Sequence, residues 1–356
     1  MSEKNKQEIS NINSSLIQQA NGDIKNYGLG YSDVKDICHD VVRQELSIVT
    51  KEAVDTFHRE ISNFEDCFIE KIKKLENPQV SEKLATPKLQ FVLHDTMKEY
   101  AKTDDTSTKE ELVDLMIERL QVDEHTTIQH LIDESIRIIP NLSLYQAYFI
   151  GALTLRRVIH QGFQFSVDTL LKKRALLFKY LNKISNLDIQ YLKLSNCCMD
   201  MSGTKYYKPI LERMKDEYDL LFRHPVGEDI FNTFTLDHPN LEFINGKHIV
   251  YKNGDDNMVK LLYSSKKMLM QTLQVEDSHF FSPELEQMIN LFTPFSNDEI
   301  KHYLISLHSN WQIAFECFDK EEITHIDLTP VGTYIGRRIV KKTTNDDTLP
   351  LEEFYK

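Results

Sequence analysis

The chain has 356 residues, enough for two or three domains with hydrophobic cores of their own. Hydrophobic residues make up 41% and charged residues 27%, and 42 basic against 55 acidic residues leave a net charge of −13. That balance speaks against a general nucleic-acid binder, which needs a basic field to neutralise phosphates.

The first twenty residues are polar, and disorder is the default expectation there. Their start, MSEKNKQEIS, has no apolar core of a secretion signal. Gly22-Asp23 has turn chemistry, and the flanking Leu16-Ile17 and Ile24 suit short strands that need stacking with other copies to persist. From Asp33 to Asn77 there is neither Gly nor Pro, and apolar residues recur every three or four positions. This predicts one long helix, capped by Ser32 or Asp33 and ended by Pro78. At about 1.5 Å per residue it spans roughly 67 Å, longer than a compact domain of about 100 residues is wide. Its stripe, with Phe57, Ile61, Phe64 and Phe68, is therefore expected to be an oligomerisation surface.

Helices are predicted from Thr86-Pro87, from Thr106-Ser107-Thr108, from Thr126-Thr127, and from Ser143, each on a capping or proline signal. The segment from Leu144 to Ile159 is the most apolar and should be central to a core. Another helix is expected over about 166–184. Beyond Leu187 the apolar runs shorten and Gly and Pro cluster, which places a domain boundary near 185–200. Lys247–Tyr251 reads as a strand between the turn signals Asn245-Gly246 and Asn253-Gly254. Asn297 should cap a helix; Ile313–Phe318 fits strand or helix; Ile323–Leu328 alternates like a strand. Thr329-Pro330 then opens a closing helix with Leu328, Val331, Ile335 and Ile339 inward. Helix, strand pair and closing helix over 297–340 are similar to a winged-helix module, a moderately specific match.

With only 11 Gly and 10 Pro, the fold class is mainly α. The expected layout is a flexible leader over 1–30, a long helix over 31–78, and a helical domain over 79–190. A smaller α+β domain over 191–340 and a tail over 341–356 complete it. No run of about 18 apolar residues occurs, so no membrane span is expected. Five Cys without CxxC spacing suit a reducing cytoplasm.

No motif for catalysis stands out. His39-Asp40 and His94-Asp95 prompt a metal-phosphohydrolase reading, but that chemistry needs distant ligands converging on one ion. Ser202-Gly203-Thr204-Lys205 lacks the first glycine of a phosphate loop and reads as a turn. Arg156, Arg157 and His160 have shorter intervals than helical ribonucleases use, so Arg156 and His160 are expected to be structural. No catalytic, cofactor or metal residue is assigned. Arg337, Arg338, Lys341 and Lys342 are the candidate nucleic-acid contacts, with contact to protein preferred because their surroundings are acidic.

The Gln-x-x-Gly-Asp leader and Gly28-Leu-Gly-Tyr-Ser-Asp-Val-Lys-Asp-Ile37 carry a resemblance, as do Glu111–Arg119, Ile139-Pro-Asn-Leu142 and Asp327-Leu-Thr-Pro-Val-Gly332. They resemble an uncharacterised bacterial family named after Legionella and Veillonella locus tags. The resemblance spans most of the chain and implies an association with phage-defence loci. The expectation is a cytoplasmic homo-oligomer acting in antiviral defence by assembly and recognition, its partner a phage or defence-system protein. The alternatives are a nuclease effector with an unrecognised site, and a DNA-binding regulator using the carboxy-terminal block.

Overall fold

The structure is a computed structural model. It describes residues 35–37, 39–40, 51–75, 83–156, 164–201, 207–238, 243–244, 247–252, 254, 257–273 and 283–345. The leader, Ser32, Asp33 and Pro78, Arg157, His160, residues 202–205 and the tail beyond Asn345 lie outside the described residues. The chain is mainly α-helical with small antiparallel sheets. It divides into two compact units, residues 1–101 and 102–356.

In the first unit the long helical stripe is described as α1, Lys51–Lys73, preceded by helical turns at 35–37 and 39–40. The stretch 41–50 between them lies outside the described residues. Helix α2, Pro87–Lys102, carries Leu89, Leu93, Met97 and Tyr100 as its buried row, at the spacing of one helix face. Phe64 and Phe68 of α1 stack at 5.3 Å between ring centroids, and Phe64 meets Tyr100 edge-on at 5.3 Å.

The second unit begins with α3 (Thr106–Gln121), α4 (Thr127–Ile138) and α5 (Leu144–Thr154), with a 3-10 turn at Ile139–Asn141. Each helix starts on the residue type its sequence calls for. Asp105 accepts from the Thr108 amide, Thr126 from Gln129, and Ser143 forms a reciprocal capping box with Gln146. Helix α6, Gln164–Ala175, stops earlier than the expected 184. Two 3-10 turns follow, Leu176–Phe178 and Leu181–Lys183, and their tighter winding turns Leu177, Phe178 and Leu181 into the core.

Helix α7 (Asn186–Leu194) leads into strand β1 (Cys198–Asp200), and α8 spans Ile210–Glu217. A smaller lobe then gathers β2 (Val226–Gly227), α9 (Glu228–Asp237), β3 (Phe243–Ile244), β4 (Lys247–His248), β5 (Val250–Lys252) and β6 (Met258–Leu261). Helices α10 (Lys266–Leu273) and α11 (Pro283–Leu291) close it. Its core is continuous from Leu220 and Phe231 through Val259 and Tyr263 to Met288 and Phe292. The strand expected over Lys247–Tyr251 is two strands, because β4 pairs with β3 while β5 pairs with β6.

The final segment holds α12 (Asn297–Leu307), α13 (Asn310–Cys317), α14 (Glu321–Thr324), β7 (Ile326–Leu328) and α15 (Pro330–Thr344). Ser296, not Asn297, is the cap of α12. Residues 313–317 are helical. The strand pair expected within 297–340 is corrected. Strand β7 pairs with β1, Cys198 opposite Leu328 and Asp200 opposite Ile326, so this block has no wing of its own. Both strands alternate too briefly to choose a partner locally.

Helices α5 and α15 are the most extensively packed pair of elements. Their close approach depends on glycine. A Cβ on Gly336 would lie 1.9 Å from Thr154 Oγ1, and one on Gly332 would lie 1.9 Å from the Cys197 carbonyl oxygen. Val331 and Ile335 are buried as the spacing predicts, while Ile339 is half-buried and Val340 is covered instead. The elements on either side of residue 190, where the sequence suggests a boundary, thus share one compact unit. Gly332→Ala should cost at least about 1–3 kcal/mol, the usual penalty of overpacking, because a backbone oxygen cannot move aside. Guanidinium unfolding curves of the variant and the parent will read the difference.

Candidate functional site

The four carboxy-terminal cations lie on α15 and face α3, which is rich in acids. Arg338 donates to Glu111 through Nε and to Glu118 through Nη1. Burial alone would lower its pKa, but Glu111, Tyr334 and Glu118 outweigh that and hold it above the ordinary guanidinium value. Lys342 donates to the Ser107 carbonyl at 3.0 Å and lies 3.8 Å from Glu110. Arg337 is 5% exposed. Lys341 is exposed. Phosphate contact by Arg338 and Lys342 would have to displace these carboxylates, so the pair does not form an uncompensated basic face.

The same pairing frames a groove. Beside Arg338 and Lys342, the amino-terminal turn of α3, the 139–142 turn and α5 enclose about 470 Å³. Ile139, Leu142, Leu144, Ile335 and Ile339 give it an apolar lining. Asp105, Glu111, Arg338 and Lys342 contribute two charges of each sign to it, together with the hydroxyls of Thr103, Ser107 and Thr108. Asp105 is held below the usual carboxylate range by its hydrogen bond from Thr108, so it stays charged. The volume falls within the range of about 300–1,000 Å³ typical of binding sites. Leu144 is 57% exposed at its edge. The apolar surface continues outside the groove. Tyr145 and Tyr148 both meet the Tyr180 ring, at 5.2 and 5.0 Å. Gln146 donates to Asp188 at 2.9 Å, which fixes α7 beside α5, and α7 presents Leu187 and Leu194 at 75% and 87% exposure. Seven positions apart, Leu187 and Leu194 share one helix face.

Arg156, expected to be structural, is buried at the end of α5. Its Nη atoms donate to the carbonyls of Ile323 and Phe318 at 2.9 and 3.2 Å. Its plane lies 4.6 Å from the Phe318 ring centroid and 4.9 Å from Tyr207. Burial, then the charge of Arg213, pushes its pKa down to about 9. His160 lies outside the described residues, so the pair is not brought together here.

Phe57, Ile61, Phe64 and Phe68 occupy α1 of the first unit. Ile61, Phe64 and Phe68 are 3%, 0% and 0% exposed within a single chain, and Phe57 is half-buried. The reason for assigning them to self-association, a stripe too long for its own chain to cover, does not apply to those three. His39 is exposed on its helical turn, and His94 lies 3.7 Å from Asp95. Among the described residues no group of three or more His, Cys, Asp or Glu side chains is arranged to hold a metal ion, and no helix is long and apolar enough to cross a membrane.

The chain belongs to a protein family whose model matches residues 28–354, in keeping with the uncharacterised family that its motifs resemble. No curated protein and no solved structure matches it.

Two outcomes follow for these residues. Arg156→Met should destabilise the second unit by about 1–3 kcal/mol, since two buried carbonyls lose their charged donor, and differential scanning calorimetry will register it. Burial, with Glu118 beside it, raises the Tyr334 phenol above its ordinary 10.0, and burial does the same for Tyr218. A group whose folded pKa is raised adds stability below its unfolded pKa and loses it as pH rises. Stability should therefore decline above about pH 10. An ultraviolet phenolate titration of the native protein should leave these two un-ionised until unfolding.

Proposed function

We propose that this protein is a recognition component of bacterial antiviral defence. On this reading it takes a partner segment into the groove between α3, α5 and α15. The groove supports the reading most directly, because it joins an apolar floor to a rim whose charges cancel in pairs. Its chemistry suits an apolar peptide segment of low net charge, presented by a phage or defence-system protein. The bare leucines of α7 supply a second contact area. The association with defence rests on the family resemblance carried by Glu111–Arg119, Ile139–Leu142 and Asp327–Gly332.

Assembly with further copies is part of this proposal, with the exposed residues of α5 and α7 in place of the covered stripe of α1. The DNA-binding alternative has less support, since Arg338 and Lys342 already meet carboxylates and a carbonyl. No arrangement among the described residues favours the nuclease alternative.

Cells carrying the gene should suppress phage plaques relative to cells without it. Leu144→Glu, which places a charge at the exposed edge of the groove, should abolish at least nine-tenths of that suppression without lowering the melting temperature. No suppression by the parent gene would end the defence reading; full suppression by a folded Leu144→Glu protein would end the groove reading. Light scattering at micromolar concentration tests assembly, and a monomer mass removes it.

A further inference from the structure

The groove runs to the last turn of α15. Ile335, Arg338, Ile339, Lys342 and Thr343 line it at helical spacing, from the middle of the helix to its end. Asn345 follows as the cap, in the left-handed region at φ 51° and ψ 45°, and is exposed. A residue in that conformation ends the helix and turns the chain off its axis. The residues after Asn345 therefore set out from one end of the groove.

Those residues, 346–356, read Asp-Asp-Thr-Leu-Pro-Leu-Glu-Glu-Phe-Tyr-Lys. Extended, such a segment reaches about 36–40 Å, at about 3.3–3.6 Å per residue. The wall from Ile335 to Thr343 is roughly 12 Å long, at about 1.5 Å per helical residue. The segment is thus long enough to return along the whole wall and still leave residues for the turn. Its chemistry matches as well. Thr348-Leu349-Pro350-Leu351 is uncharged, with an acidic pair on either side, Asp346-Asp347 and Glu352-Glu353. The floor formed by Ile139, Leu142, Leu144, Ile335 and Ile339 is apolar. The leucines can rest on that floor while the acidic pairs stay at its two ends. Pro350 brings no amide hydrogen that would need a partner there. It also biases Leu349 toward an extended backbone, so less freedom is lost on docking.

We infer that residues 346–356 fold back along α15 and seat Leu349 and Leu351 in the groove, which the chain itself holds until a partner displaces them. The inference rests on the groove reading above and supplies its regulation. A segment tethered this closely acts at an effective concentration of about a millimolar. A partner must exceed that competition, so weak apolar segments are refused and a well-matched one is admitted.

The test is fluorescence anisotropy of a labelled synthetic peptide of residues 346–356, titrated with the full chain. The parent is compared with the double variant Leu349→Asp, Leu351→Asp, whose own tail cannot compete. The variant should bind the peptide at least tenfold more tightly than the parent, and adding Leu144→Glu should abolish that binding. If the double variant loses solubility, Leu351→Gln replaces it, with at least a threefold gain expected. Equal binding by parent and variant, no binding by either, or binding that survives Leu144→Glu would overturn the inference. So would a parent mass above monomer that falls to monomer in the tail variant, because the tail would then lie in the groove of a second copy. Peptide binding sensitive to Leu144→Glu, without any effect of that substitution on phage suppression, would uphold the tail and end the groove's role in defence. Loss of suppression in Leu144→Glu, with no peptide bound by the tail variant, would do the reverse.

Discussion

The second unit depends on how closely α15 can approach α5. Gly336 lets the Thr154 hydroxyl sit where any side chain would collide, and Gly332 does the same for the Cys197 carbonyl. The carbonyl that presses on Gly332 also receives the Thr329 amide at 3.1 Å and its hydroxyl at 3.2 Å. Thr329 in turn caps α15 by accepting from the Gly332 amide at 3.0 Å. The helix start, the β1–β7 pair and the α5–α15 contact are thus fastened at one point. The groove inherits its shape from this junction, since one wall is α15 and another α5.

Buried arginines are a second theme. Arg119, 1% exposed, donates to Asp133 at 2.9 Å and to Glu124 at 2.7 Å, and Arg338 is held between Glu111 and Glu118. Removing one partner of such a pair leaves a buried charge uncompensated, which costs more than the intact pair contributes. The excess of acid in the composition is therefore partly internal: some carboxylates of α3 and α4 exist to hold cations of their own unit. Arg338 and Lys342, at the basic end of α15, accordingly lie against carboxylates of α3.

The sequence was most informative where the signal is local. Ser143 with Gln146, Thr126, and Thr329-Pro330 announce helix starts that the backbone takes up, and the apolar row of α2 has the expected phase. It was least informative where the determining contact lies far along the chain. Strand β7 alternates as a strand, yet nothing in Ile326–Leu328 names Cys198–Asp200 as its partner. The stripe of α1 showed that Phe64 and Phe68 need cover, but not that Tyr100 helps supply it. In the groove, Leu142 and Leu144 look like ordinary helix-flanking residues until Ile335 and Ile339 arrive opposite them. Arg213 and Glu217 form an unremarkable i,i+4 pair in sequence; only burial reveals that they also restrain Arg156 and Arg174.

The distance in sequence between α5 and α15 has a consequence during synthesis. Roughly 175 residues separate them, so at about 5–20 residues per second α5 waits on the order of 10–35 s for its principal partner. Through that interval the most apolar helix of the chain lacks its main cover, a state that invites aggregation or capture by a chaperone. Expression at lower temperature slows translation and folding alike, so it lengthens the wait rather than removing it. A holdase covers the helix during the wait, whereas moving the α15 segment ahead of α3 by circular permutation removes the wait itself.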